Sequence, residues 1–246
     1  MGFGPGVTPA IVKQLLGINV AVFLLQYLFP ALVYFGALWP SAVWNGYVWQ
    51  PFTYMFLHAT RDPFHILFNM FALWMFGSPL ALAWGRDRFL RFYLLCGFGA
   101  GLLIAIVPYL MHAIGMPARV DIPTLGASGA VYGVLLAYSL MWPNQTIMLL
   151  FPPIPIRAIY FIPFIFLWGL LFGPPNVSHV GHLGGVVVGF LLLQNQGLTS
   201  SIPWLSIRGL RHRWHRYRMR SRLRAVRREE WQAREERRRH DDHSVH

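Results

Sequence analysis

Six long apolar stretches constrain this chain more than any other feature of its sequence. A helix needs about 20 mostly apolar residues to cross the hydrocarbon core of a bilayer. Six stretches meet or approach that length: Ala10–Pro30, Phe64–Trp84, Phe89–His112, Ala127–Trp142, Ile154–Phe172 and Ser178–Gln196. Charged residues make up only 12% of the chain and hydrophobic residues 55%, whereas typical soluble domains are about 25% charged. The sequence therefore predicts an all-α polytopic membrane protein with six transmembrane helices.

The stretch from Ala31 to Asp62 is apolar and aromatic but is interrupted by helix breakers. Pro40, Gly46 and Pro51 divide it, and its tryptophans and tyrosines are typical of the membrane–water interface. This pattern favours a loop that lies in the interface. A seventh span is the alternative.

Basic residues are concentrated at one end of the chain. Fourteen of the 21 lysines and arginines are arginines between Arg208 and Arg239. We therefore predict a membrane domain of residues 1–203 and an arginine-rich tail of residues 204–246, and we expect anionic lipid to attract the tail. A basic excess on an appendage to an apolar body argues against a nucleic-acid-binding globule.

The short loops predict the orientation of the chain. Arg86, Arg88 and Arg91 flank the second connection, Arg157 flanks the fourth, and the tail follows the sixth span. By the positive-inside rule, these connections and both termini are cytoplasmic. We expect an integral protein of the plasma (cell inner) membrane.

Polar residues inside membrane spans are rare and mark function by default. His65 and Asn69 are four residues apart in the second span, so both project from one face of that helix. Two donors aimed at a common point can stabilise an oxyanion. The alternative is that they bond to neighbouring helices and only hold the bundle together.

The fourth span opens with a serine between glycines, in the string Gly126-Ala127-Ser128-Gly129. Glycines on both sides let another backbone or a substrate approach the serine closely. At a helix start, the N–H of the serine is unpaired and lies at the positive end of the helix dipole. Ser128 is therefore a candidate nucleophile and oxyanion donor, although such strings also occur at helix caps and packing surfaces.

The sixth span contains a glycine ridge with a histidine beside it. Gly181, Gly185 and Gly189 permit close approach of a neighbouring helix, and His182 points into that contact. If the neighbour is the fourth span, His182 can reach Ser128.

Histidine is the usual base for a nucleophilic serine. None of the predicted spans contains Asp or Glu, and Asp121, in an outer loop, is a poor candidate for the carboxylate of a triad. The residues thus predict a Ser128–His182 dyad, with Tyr132 packed on the imidazole. The single cysteine, Cys96, excludes an intrachain disulfide and a cysteine-based zinc site.

Taken together, these residues resemble the rhomboid family of intramembrane serine proteases over about residues 10–200. The strings that carry the resemblance are Phe56-Leu57-His58, His65-Ile66-Leu67-Phe68-Asn69-Met70, Leu73-Trp74-Met75-Phe76-Gly77, Gly126-Ala127-Ser128-Gly129 with Tyr132, and His182-Leu183-Gly184-Gly185 with Gly189. The resemblance implies a six-helix rhomboid-like bundle with a membrane-embedded first loop. Two residues depart from the family pattern. Members often carry arginine after the loop tryptophan, where this chain has Gln50 after Trp49, and some members carry histidine where this chain has Tyr54.

The resemblance also implies roles for the site residues. Ser128 is expected to be the nucleophile, His182 the general base, and His65 and Asn69 the side chains of the oxyanion hole. Single-pass transmembrane proteins are the expected substrates, with no cofactor and no metal. The alternatives are a catalytically inactive rhomboid-like scaffold that binds membrane clients and a transporter, although the chain shows neither two similar halves nor an acidic residue in a span.

Overall fold

The computed structural model describes residues 4–118, 120–149, 153–172 and 178–195. The predicted arginine-rich tail lies outside these residues. The helices are α1 Ala10–Leu28, α2 Ala31–Gly36, α3 Pro40–Trp44, α4 Gln50–Thr53, α5 Pro63–Trp84, α6 Arg86–Ala113, α7 Ser128–Met141, α8 Ala158–Phe172 and α9 His179–Asn195, with a 3-10 turn at Tyr54–Phe56. Two short strands, β1 Thr146–Met148 and β2 Pro155–Arg157, pair antiparallel.

Within the described residues, α1, α5 and α6 are long and apolar enough to cross a membrane, and α7, α8 and α9 are shorter apolar helices. Large apolar side chains such as Leu28, Phe68 and Phe172 are exposed on the surface, where lipid hydrocarbon rather than water is the favourable solvent. The prediction of an all-α polytopic membrane protein is confirmed. The count of six spans stays a prediction.

The predicted start of the fifth span was wrong. α8 begins at Ala158 rather than at Ile154, because the preceding residues form a hairpin in which Met148 pairs with Pro155 and Thr146 with Arg157. A residue that precedes a proline is disfavoured in the helical conformation, which keeps Ile154 extended.

The stretch between α1 and α5 folds as a loop, as predicted. It forms α2, α3, α4 and the 3-10 turn, and none of these elements exceeds six residues, far fewer than a span needs. Gln50 is fully buried here: its Oε1 accepts from the Trp39 N–H at 3.0 Å and its Nε2 donates to the Phe35 carbonyl at 3.3 Å. The glutamine thus holds two parts of the loop backbone together. Trp44 Nε1 donates to the Ala105 carbonyl at 3.0 Å and docks the loop on α6.

Helix α7 lies at the centre of the fold, against α5, α6, α8 and α9. Its contact with α9 is made by backbone. A β-carbon added to Gly185 would collide with the Gly129 carbonyl, and one added to Gly189 would lie 3.2 Å from the Gly133 Cα. The glycine ridge of the sixth span therefore packs on the fourth span, the neighbour that the dyad requires.

Gly185→Ala should lower the free energy of unfolding by about 1–3 kcal/mol, the usual cost of overpacking, because the new methyl group meets backbone that cannot rotate away. Thermal unfolding in detergent measures this. Gly17→Ala is the matched control, since a β-carbon there has no atom within 4 Å. Equal stability of the two variants would contradict the backbone contact.

Candidate active site

Ser128 is the first residue of α7 and follows a turn that only glycine fits. Gly126 has φ +128°, a conformation that other residues rarely adopt. A β-carbon on Gly126 would also lie 2.7 Å from His65 Nε2. The Gly126 N–H donates to the Tyr54 carbonyl at 3.0 Å, which ties the turn to the loop. The turn before Ser128 therefore lies against the imidazole of His65.

His65 lies in the first turn of α5, which is capped by a bond from the Phe64 N–H to Asp62 Oδ1 at 3.1 Å. The His65 Nδ1 accepts a hydrogen bond from the Ala59 N–H at 3.2 Å. A neutral imidazole whose Nδ1 is an acceptor carries its proton on Nε2. Because Nε2 is the atom against Gly126, the geometry directs a donor toward the serine turn.

Asn69 lies one turn further along the same face of α5 and is 8% exposed. Its Nδ2 donates to the His65 carbonyl at 2.8 Å. This bond runs within α5, unlike the bonds between helices that a purely structural role predicts. An amide nitrogen has two protons, so one N–H of Asn69 remains for a ligand.

His182 reaches the face of α7 that begins at Ser128. Its imidazole stacks on the Tyr132 ring, with 4.1 Å between the ring centroids and 13° between the planes. Tyr132 is four residues after Ser128, so the two side chains project from the same face of α7. The fold thus places His182 against Tyr132 on the α7 face that begins at Ser128, and it places His65 of α5 against the turn before Ser128.

Tyr54 is a site residue that the sequence reasoning missed. Its carbonyl binds the Gly126 N–H, and its hydroxyl donates to the Gly97 carbonyl of α6 at 2.8 Å. The same hydroxyl oxygen lies 3.0 Å from where a β-carbon on Gly129 would be. Burial raises the pKa of the Tyr54 phenol above its usual range, so the hydroxyl stays a neutral donor. Tyr54 therefore joins the loop and α6 to the serine turn.

His58, which the sequence reasoning used only for the resemblance, packs beside His65. The side chain is fully buried, and its ring centroid is 5.2 Å from that of His65. Gln26 holds its backbone, since the His58 N–H donates to Gln26 Oε1 at 3.0 Å and Gln26 Nε2 donates to the His58 carbonyl at 2.8 Å. Burial, and secondarily the charge of His65, lower the pKa of His58 to about 3. His58 is therefore neutral at physiological pH and adds no positive charge beside His65.

Residues 45–194 match the family model described as the Rhomboid domain, a segment that runs from the first loop into α9 and includes the whole site. The chain belongs to the rhomboid family. Membership confirms the family resemblance of the sequence and, with the apolar helices, makes this rhomboid a multi-pass membrane protein. The plasma membrane and the cytoplasmic termini stay predictions.

Three curated proteins illustrate the similarity of this rhomboid to its relatives. Rhomboid protein 1, mitochondrial, of Saccharomyces cerevisiae is 33% identical over 74% of this chain and 51% of its own. Rhomboid protease GluP of Bacillus subtilis is 32% identical over 68% of this chain and 30% of its own. RHOMBOID-like protein 1 of Arabidopsis thaliana is 35% identical over 59% of this chain and 33% of its own. The chain thus spans about half or less of the length of these relatives.

The acceptor role of Nδ1 predicts the tautomer of His65. In protein labelled with ¹⁵N-histidine, at mildly alkaline pH, the His65 ring should show a protonated Nε2 and an unprotonated Nδ1. The signal is assigned by its absence from His65→Gln. A protonated Nδ1 would contradict the bond from the Ala59 N–H and remove the donor from the serine turn.

Proposed function

We propose that this rhomboid is an intramembrane serine endopeptidase that hydrolyses peptide bonds in or beside the transmembrane helices of single-pass substrates. One observation carries the proposal: the His182 imidazole is stacked along the α7 face that begins at Ser128, while His65 Nε2 lies against the turn before it. This arrangement supports the assignment of a base and a hydrogen-bond donor to one serine. Family membership and the relative named as a protease support the same activity.

In the proposed reaction, His182 takes the proton of the Ser128 hydroxyl as Oγ attacks the scissile carbonyl carbon. The tetrahedral intermediate collapses when His182 returns this proton to the leaving amine, which leaves an acyl ester on Ser128. Water, deprotonated by the same imidazole, then hydrolyses the ester. A single histidine serves as base and acid in each half of the reaction.

The negative charge on the carbonyl oxygen requires donors that are in place beforehand. His65 Nε2–H and the second N–H of Asn69 come from α5, and the backbone N–H of Ser128 comes from the start of α7, where first-turn N–H groups lack helical partners. In a site enclosed by protein, such hydrogen bonds are stronger than in water. These three groups form the proposed oxyanion hole.

Tyr132 takes over part of the task that a carboxylate performs in a triad. The aspartates among the described residues are Asp62, Asp87 and Asp121, and all lie outside α7 and α9. The orientation of the His182 imidazole therefore depends on its stack with Tyr132, whose nearly parallel planes restrict rotation of the ring. Tyr132 is a positioning residue in this proposal.

The arrangement of these polar residues also bears on the alternative, an inactive rhomboid-like scaffold. A scaffold has no need for a serine at a helix start, a stacked histidine and a donor against the same turn. Their convergence from three helices favours the enzyme. From the positive charges of the loops we propose that the site opens away from the cytoplasm. We also propose anionic lipid as a partner of the arginine-rich tail.

A fluorophosphonate probe should label the wild-type protein through Ser128, because the probe reacts with a serine that an adjacent base activates. Ser128→Ala and His182→Ala should lose both labelling and cleavage of a generic transmembrane substrate by several orders of magnitude, as coupled catalytic groups do. The readouts are gel fluorescence and substrate cleavage. Labelling of Ser128→Ala equal to wild type would refute the assignment.

Asn69→Ala should lower kcat by up to about 10²–10³ with little change in KM, since a donor in the oxyanion hole acts on the transition state. Kinetics on a fluorescent transmembrane substrate measure this, with thermal unfolding as the parallel test. Ser78→Ala is the matched control, because Ser78 makes the same type of bond within α5, to the Trp74 carbonyl at 2.7 Å, but far from the site. If Asn69→Ala loses stability and activity in step, its role is structural.

A further inference from the structure

Three arginines cluster at the turn between α5 and α6, at the end of α5 opposite His65. They are Arg86, Arg88 and Arg91, and we call them the arginine cluster. At 1.5 Å per residue, the 22 residues of α5 extend about 33 Å, close to the thickness of a bilayer core of about 30 Å. With the proposed active site near one membrane surface, the cluster lies near the other. The structure describes six lysines and arginines, and three of them belong to the arginine cluster. The other three are Lys13, Arg61 and Arg157.

The arginine cluster lines a cavity of about 890 Å³, which is in the size range of ligand sites. Another part of its wall is apolar and includes Phe92 and Leu95 of α6 and Leu192 of α9. Asp87 supplies one negative charge, so the charged residues of this wall sum to about +2. The cavity therefore combines a cationic end with an apolar side.

The helical register sets the order of these groups along the membrane normal. Arg88, Arg91, Phe92 and Leu95 stand at positions i, i+3, i+4 and i+7, so they share one face of α6. The charges lie at the start of the helix and the apolar side chains follow deeper in the bilayer. A phospholipid presents its phosphate and its acyl chains in the same order.

Trp84 holds part of the cationic end in place. The Arg88 guanidinium carbon lies 5.0 Å from the centre of the Trp84 ring. The indole packs edge-on against the Phe92 ring, with 5.1 Å between the ring centroids, and its N–H donates to the Met141 sulfur at 3.0 Å. This contact holds the Arg88 charge at the cationic end of the cavity.

We propose that the cavity between α6 and α9 is a binding site for an anionic phospholipid. The arginine cluster binds the headgroup phosphate, and Phe92, Leu95 and Leu192 contact the acyl chains. Charge complementarity selects an anionic headgroup, and the apolar wall selects a membrane lipid over a soluble phosphate. The site is separate from the predicted attraction of lipid to the tail, and it does not depend on the proposed protease activity.

Photo-crosslinking tests the site at its own residues. The purified full-length chain, in zwitterionic detergent, is titrated with phosphatidylglycerol that carries a photoreactive acyl chain, and label is mapped by peptide mass spectrometry. We expect saturable label on the peptides that contain Leu95 and Leu192. The triple variant Arg86→Gln/Arg88→Gln/Arg91→Gln should raise the half-saturating lipid concentration by about 100-fold, and Arg91→Gln alone by about fivefold.

The tail provides a matched control. Arg211, Arg213 and Arg216 repeat the spacing of the arginine cluster, so their replacement by glutamine removes the same charge. This control should leave label on the two peptides unchanged, as should addition of glycerol 3-phosphate in tenfold excess over the lipid. Photoreactive phosphatidylcholine should show no saturable label there.

Three results would overturn the proposal. Arg91→Gln, at an exposed position, could bind phosphatidylglycerol as well as wild type does. The tail variant could weaken label on the two peptides as much as the cluster variant does, which would indicate general charge attraction. Full competition by glycerol 3-phosphate would identify a soluble anion, not a lipid, as the ligand.

Discussion

The backbone contact between α7 and α9 is the constraint on which the candidate site depends. Helices in a bilayer gain little hydrophobic free energy from association, because lipid is as apolar as their side chains. Close packing of small residues supplies the attraction instead, and Gly129 and Gly185 let the two backbones touch. The same contact sets the distance from α9 to α7 and so stacks His182 on Tyr132. Fold and proposed chemistry thus share one interaction.

Polar side chains of α1 and of the first loop support the α5 side of the site. Gln26 satisfies both backbone groups of His58, and Gln50 bonds two separate loop segments. Buried backbone groups need partners where water is scarce, so these glutamines stabilise an otherwise irregular segment. Tyr54 then connects the loop to the turn before Ser128. The loop thereby supports the turn before Ser128 and the adjacent histidines, His58 and His65.

The same helices contribute to two different proposed sites, one at each end of the bundle. α9 carries His182 near one end and Leu192 about 15 Å further along, by the helical rise. The first is part of a proposed hydrolytic site that must admit water and substrate, and the second lines the proposed lipid cavity. α6 contributes to both regions, through Gly97 beside Tyr54 and through the arginine cluster.

Local patterns in the sequence determined the helices, and tertiary contacts decided the site. The spans that became α5 and α6 are long and mostly apolar, so their positions follow from composition over about 20 residues. The start of α8 was mispredicted because a hairpin with β1 takes the residues before Ala158. Glycine spacing predicted a close helix neighbour for His182 but could not identify it. The roles of Tyr54 and His58 left no local signal, since they arise from contacts with residues distant along the chain, and only folding creates such contacts.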